Sequence, residues 1–214
     1  MKKPGMTNRK KQSTRGIVVF LGAALFCTSG VTVSAKGDSL EDVIQKTADY
    51  ETGIVTDPTV ASIGGEWTVI PLARGDASLP DDYFEKYRAN VEKYLKENDG
   101  ILSDHKYTEY SRVVLALKSI GADPTDIGGY DVQKPLENFD TVTAQGLNGA
   151  VFALLALNAD DPEQNKDGEL EQKYLSYILE QEKPDGGFSL DDNADQSDVD
   201  MTAMTLQCLE PYQD

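Results

Sequence analysis

The sequence predicts an all-α protein, built from helix–glycine turn–helix units that form an open arc of inner and outer helices. Segments with apolar residues at helical spacing alternate with Gly, Pro, Asn and Asp punctuation, and no comparable segment shows the two-residue alternation of a strand. The order apolar helix, amphipathic helix, Asp-Gly turn, apolar helix also recurs. Pro71 predicts a bend or an early stop in the first of these helices. The predicted helices span roughly residues 64–74, 81–97, 107–120, 145–158, 168–182 and 197–210.

Internal self-similarity supports the repeat. Residues 108–120 align with residues 197–209, so that Thr108 meets Ser197 as an N-cap candidate, while residues 67–73 align with residues 150–156. One such unit cannot bury both faces of its apolar helices, whereas stacked units can. We therefore expect the apolar helices inside and the amphipathic helices outside.

The turn at residues 177–189 (YILEQEKPDGGFS) is the most informative motif. Pro184 ends the preceding helix, and Gly186–Gly187 permits the positive φ of a tight reversal. Gln181 is placed to cap the end of the helix, and Phe188 is placed to pack the turn onto the layer beneath. Ser197 or Asp198 then caps the next helix.

This turn resembles the glutamine–tryptophan repeat of squalene–hopene cyclases and protein prenyltransferase subunits, with Phe188 in the tryptophan position. The stretches 108–124, 145–157 and 185–212 look like bacterial surface proteins with prenyltransferase-type repeats. The resemblance covers about residues 60–212 and implies a partial α/α toroid of this terpenoid cyclase and prenyltransferase superfamily. We assign residues 63–214 to this domain, with a truncated domain as the alternative to a complete one.

The acids at the start of the last predicted helix have two interpretations. Asp198-Val199-Asp200-Met201-Thr202-Ala203 resembles the cyclases' DxDDTA motif, with Asp200 in the proton-donating middle position and Met201 where the third acid stands. The resemblance makes Asp198 and Asp200 the candidate catalytic residues. The alternative is that both are helix-start acids favoured by the helix dipole. With one His, His105, and one Cys beyond the leader, nothing resembles the zinc cluster of a prenyltransferase.

The first 35 residues have the pattern of a signal peptide. A basic stretch without acids precedes the apolar residues 16–33, and Val33-Ser34-Ala35 offers a cleavage site. The alternative is a retained membrane anchor. Residues 36–62 form an acidic segment with a short helix that starts near Ser39-Leu40-Glu41-Asp42. We expect a secreted or surface-bound protein of a Gram-positive bacterium.

The net charge limits the classes of binding partner, and the cysteine content limits the disulfides. The formal net charge is −17, and cleavage after Ala35 removes six basic groups and no acids, which gives −17 − 6 = −23. Such a chain is unsuited to nucleic acid and to anionic membranes, but suited to basic partners. Cleavage also leaves Cys208 as the one cysteine, so no intramolecular disulfide can form. Its apolar sequence neighbours predict a core residue.

We predict no cofactor, with calcium as the alternative for the acidic loop. A hard cation needs about six to eight oxygens. The segments Asp191–Asp195 and Glu163–Gly168 each depart from the EF-hand pattern. The acidic loop spans residues 185–200, and its acids are Asp185, Asp191, Asp192, Asp195, Asp198 and Asp200.

These observations favour a noncatalytic envelope protein that binds a small molecule or an envelope component, with Trp67, Tyr110 and Phe188 as candidate ligand-binding residues. The alternatives are a terpene-cyclase-like or polysaccharide-acting enzyme using Asp198 or Asp200, and a purely structural module of an envelope assembly. An open arc leaves apolar surface at its end, so we also expect self-association or a further chain segment that completes it.

Overall fold

The computed structural model describes residues 37–60, 63–161, 165 and 167–213. The predicted signal peptide and Glu163 lie outside this range. The described residues form helices and turns, which confirms the predicted all-α class. The toroidal arc stays a prediction. The helices of the described residues are α1 (Leu40–Ile54), α2 (Glu66–Arg74), α3 (Tyr83–Glu97), α4 (Tyr107–Ser119), α5 (Phe139–Thr143), α6 (Gly146–Asn158), α7 (Glu169–Leu179) and α8 (Val199–Leu209), with 3-10 turns at Lys134–Glu137 and Glu210–Tyr212.

The apolar helices pack against one another in chain order. Helix α2 packs on α4, α4 on α6 and α6 on α8, while α5 and α7 also pack on α6. Helix α6 is apolar on nearly all sides (GLNGAVFALLALN), and a helix of that kind is stable only when neighbours surround it. It therefore occupies the centre of the described unit, which runs from Ser39 onward.

The amphipathic helices bury one face each. Helix α3 buries Tyr83, Tyr87, Val91 and Leu95, which recur every four residues, and exposes its lysines. Helix α7 does the same with its buried tyrosine and isoleucine. Each large apolar side chain that is fully buried contributes about 1.5–3 kcal/mol to folding. The predicted amphipathic pattern is confirmed in both helices.

Helix α1 begins where the sequence predicts. The Ser39 side chain accepts from the Asp42 N–H at 3.1 Å, and the Asp42 carboxylate accepts from the Ser39 N–H at 3.1 Å. A second small core of Ala48, Leu72 and Tyr83 joins α1 to the helices that follow. One face of α1 is thus anchored.

The structure departs from the local predictions at three places. Helix α2 does not stop early at Pro71 but continues to Arg74, and the Pro71 carbonyl accepts from the Gly75 N–H at 3.0 Å. Thr108 lies inside α4, which starts at Tyr107, and its N–H is capped from another segment by the Gln145 side chain at 3.4 Å. Helix α5 was not predicted because five residues are too few to show a helical period.

None of the helices in the described ranges is long and apolar enough to cross a membrane.

Candidate ligand-binding cleft

A cleft of about 510 Å³ opens between α2, α4, α6 and α8. This volume lies in the range of about 300–1,000 Å³ that is usual for small-molecule sites. Most of its wall is apolar, with polar groups only at a few points. The lining residues are Trp67, Ile70, Arg74, Leu115, Phe152, Leu155, Asn158, Ala159, Met204, Gln207, Cys208, Glu210 and Pro211.

Trp67, the only tryptophan of the chain, stands at one side of the cleft with 48% of its side chain exposed. Its ring meets Phe152 of α6 edge to face, with ring centroids 6.1 Å apart. The Arg112 guanidinium lies 6.0 Å from the centre of the same ring. Trp67 is therefore held by contacts from α4 and α6 while one side stays open to a ligand.

A buried ion pair lies behind Trp67. Glu66 is fully buried, and its carboxylate accepts from Arg112 Nε at 3.2 Å and from the Tyr87 hydroxyl at 3.1 Å. Burial raises the pKa of Tyr87 well above its usual value, and the nearby Glu66 charge raises it further. The network joins α2, α3 and α4 at the base of Trp67. In the sequence Glu66 looks like an ordinary acid of a first helical turn, so nothing predicted that it would be the buried partner of Arg112 and Tyr87.

Asn158, at the end of α6, places a buried amide in the cleft wall. Only 4% of the residue is exposed, and its Nδ2 donates to the Tyr212 hydroxyl at 2.8 Å. Its Oδ1 is buried and has no hydrogen-bond partner within the described part of the chain. Such an acceptor costs about 1–3 kcal/mol while it is unpaired. A donor group that reached this oxygen from the cleft would recover that free energy.

Cys208 also lines the cleft, and its thiol is buried. Burial raises the pKa of the thiol to about 12. Because the thiolate is the nucleophilic form, this cysteine is inert at neutral pH. The predicted role as a core residue is confirmed.

Asp198 acts as the N-cap of α8. One carboxylate oxygen accepts from the Met201 N–H at 2.7 Å and the other from the Leu190 N–H at 2.9 Å. These backbone hydrogen bonds hold the pKa of Asp198 below its usual value, whereas a carboxylic acid that protonates an alkene needs a raised one. Asp200 is exposed in the first turn of α8, and neither acid lines the cleft.

The Asp-Gly turn is held by Asp185. Its carboxylate accepts from the N–H and the hydroxyl of Ser197 at 3.0 and 3.1 Å and from the Gly187 N–H at 3.3 Å. Gly186 has φ +85°, as predicted, and a Cβ at Gly187 would lie 2.6 Å from the Ser197 side chain. In the described residues no group of three or more His, Cys, Asp or Glu side chains is placed to hold a metal ion.

The structure does not bring the three predicted ligand-binding aromatics together. Trp67 lines the cleft. Tyr110 is 5% exposed and its hydroxyl accepts from the Leu102 N–H at 3.0 Å, while Phe188 is 4% exposed and its N–H donates to Thr202 Oγ1 at 2.9 Å. Tyr110 and Phe188 therefore pack the core and the turn.

Sequence reasoning did not single out Phe152, Asn158 or Met204 as cleft residues. The first two lie on α6, where every face is apolar, so periodicity gives no indication of which face the cleft uses. The one available signal was an amide, Asn158, directly after the apolar run of residues 149–157.

Comparison with known proteins yields no relative. No protein-family model matches the chain, and neither the curated proteins nor the solved structures contain a match. The resemblance to toroid proteins therefore stays a prediction from the motifs.

Proposed function

We propose that this is an exported, noncatalytic cell-envelope protein whose prenyltransferase-like repeat domain binds an apolar small molecule between α2, α4, α6 and α8. The observation that carries the proposal is an apolar cleft from four helices with one buried, unpaired amide acceptor in its wall. The two candidate catalytic acids support a noncatalytic role: both oxygens of Asp198 accept from backbone N–H groups, and neither Asp198 nor Asp200 lines the cleft.

The wall defines the ligand by its chemistry. Trp67, Phe152 and Met204 offer contacts to an apolar body. Asn158 Oδ1 offers an acceptor for one hydroxyl or N–H group. A neutral, largely apolar molecule with one hydrogen-bond donor therefore fits best.

The test is a titration of Trp67 fluorescence with two matched probes, n-dodecanol and dodecyl methyl ether. The two have similar apolar bodies, but only the alcohol can donate to Asn158 Oδ1. Pairing a buried acceptor is worth about 1–3 kcal/mol, so the alcohol should bind about fivefold to a hundredfold more tightly. Equal affinities, or no saturable change with either probe, contradict the proposal.

Two variants on α8 locate the site. Met204 lines the cleft, whereas Leu206 does not and is 60% exposed. Met204→Glu places a charge against the apolar ligand and should weaken dodecanol binding about tenfold or more, while Leu206→Glu should leave it within about twofold. Asn158→Leu should remove the preference for the alcohol over the ether. Binding that survives Met204→Glu unchanged lies outside this cleft.

A further inference from the structure

Helix α8 carries an apolar stripe on the face opposite its buried one. Met201, Thr205 and Cys208 are buried against the protein. Val199 and Leu206 are 84% and 60% exposed, and Ala203 between them is exposed as well. The spacing i, i+4, i+7 puts these three side chains in one row along the helix.

The apolar row continues into the loop that precedes α8. Leu190 is 63% exposed, and its N–H donates to the carboxylate of Asp198 at the start of the helix. We call the exposed apolar side chains of α8 and of the loop joined to its start the α8 face: Leu190, Val199, Ala203 and Leu206.

Two exposed acids flank the α8 face: Asp200 lies beside the row, and Glu210 lies at its end. Residues 184–214 contain eight Asp or Glu residues and no Lys, Arg or His. The base that directly precedes this segment, Lys183, has its ammonium on the Asp192 carbonyl at 3.0 Å. An apolar row flanked by acids, in a segment with an excess of acids, favours a partner of opposite charge.

We infer that the α8 face binds a basic amphipathic helix of a partner protein. Apolar side chains of that helix, three and four residues apart, pack on Val199, Ala203 and Leu206, while flanking Lys or Arg side chains meet Asp200 and Glu210. A second copy of the chain fits poorly, because two α8 faces together would set these acids against each other. The four residues of the α8 face do not line the ligand cleft, although Glu210 at the end of the row does. This inference therefore stands apart from the proposed function.

The test uses the full chain and three labelled synthetic helices of about 18 residues, roughly five turns. The first has a Leu row flanked by Lys, the second the same row flanked by Glu, and the third the composition of the first in scrambled order. Fluorescence anisotropy at two salt concentrations measures binding. We expect the basic amphipathic helix to bind about tenfold more tightly than either other peptide, and more weakly as salt rises.

Variants distinguish the α8 face from general attraction to an acidic protein. Leu206→Lys removes an apolar contact and adds a repelling charge, so affinity for the basic helix should fall about tenfold or more. The matched control is Leu179→Lys on α7, where the leucine is 48% exposed, and it should change affinity less than about twofold. Met204→Glu, which disables the cleft, should leave helix binding intact.

Four outcomes overturn the inference. They are equal binding of the scrambled peptide, equal binding of the acidic peptide, a Leu206→Lys effect no larger than that of Leu179→Lys, and no binding at all. A concentration-dependent dimer that Leu206→Lys dissolves would assign the face to a second copy instead, and would also overturn it. Circular dichroism of each variant confirms that it is folded.

Discussion

The buried ion pair behind Trp67 gives the sharpest quantitative prediction. Arg112→Met keeps an unbranched apolar stem but removes the guanidinium that pairs with Glu66. The Glu66 side chain is fully buried, so its carboxylate would lose this cation without gaining water. Removing one partner of a buried ion pair costs about 3–5 kcal/mol in the free energy of unfolding.

The double variant makes the reasoning specific. Glu66→Gln keeps an acceptor for the Tyr87 hydroxyl but sets an amide donor against the Arg112 guanidinium, which should cost about 1–3 kcal/mol. Glu66→Gln combined with Arg112→Met leaves no buried charge. It should therefore be more stable than Arg112→Met alone, with a coupling free energy of about 2 kcal/mol or more.

Urea unfolding, followed by circular dichroism and by Trp67 fluorescence, measures all four proteins. The control is Arg88→Met on α3, where the arginine is exposed, and its free energy of unfolding should stay within about 0.5 kcal/mol of the parent. The reasoning is refuted if Arg112→Met costs no more than this control, or if the double variant equals the sum of the single ones.

Three further predictions concern ionisation. Burial raises the pKa values of Tyr87 and Tyr174 above the ordinary 10.0. Above about pH 10 the unfolded chain therefore binds fewer protons than the folded protein. The free energy of unfolding then falls as pH rises, by about 1.4 kcal/mol per pH unit for each tyrosine. For Tyr174→Phe, the free energy of unfolding measured in urea should fall less steeply with pH than for the parent, by the contribution of one tyrosine. An unchanged dependence on pH would contradict this. The other cysteine of the chain is Cys27, in the predicted signal peptide. In a Cys27→Ser background, Cys208 should react with a disulfide reagent near pH 8 only in guanidinium, and fast reaction of the folded protein would disprove its burial. Backbone hydrogen bonds lower the pKa of Asp198, so its stabilising contribution is present above the unfolded pKa and is lost as pH falls through the folded value. At neutral pH the melting temperature of the parent should be higher than that of Asp198→Asn, which should be higher than that of Asp198→Ala. Equal melting temperatures would argue against the cap.

Local chemistry made much of the fold predictable. Every predicted helix of the repeat domain has a counterpart, because apolar spacing, Gly186 and the cap acids act within a few residues of one another. The capping box of Ser39 likewise follows from four neighbouring residues. The cap that Gln145 supplies to the start of α4 joins residues 37 positions apart, so local pattern could not show it.

The cleft was far less predictable. Trp67 was named from sequence and does line the cleft, whereas Tyr110 and Phe188 are in the core. An aromatic residue in an apolar helix has the same local signature in either place. Its location depends on how helices far apart in sequence pack, and an all-round apolar helix such as α6 gives no indication of it.

A crystal structure of the protein with n-dodecanol would show whether the cleft between α2, α4, α6 and α8 binds a largely apolar alcohol. We predict the alkyl chain against Trp67, Phe152 and Met204, with its hydroxyl oxygen about 2.8 Å from Asn158 Oδ1. An alcohol bound elsewhere, or one in the cleft with its hydroxyl turned away from Asn158, would contradict it.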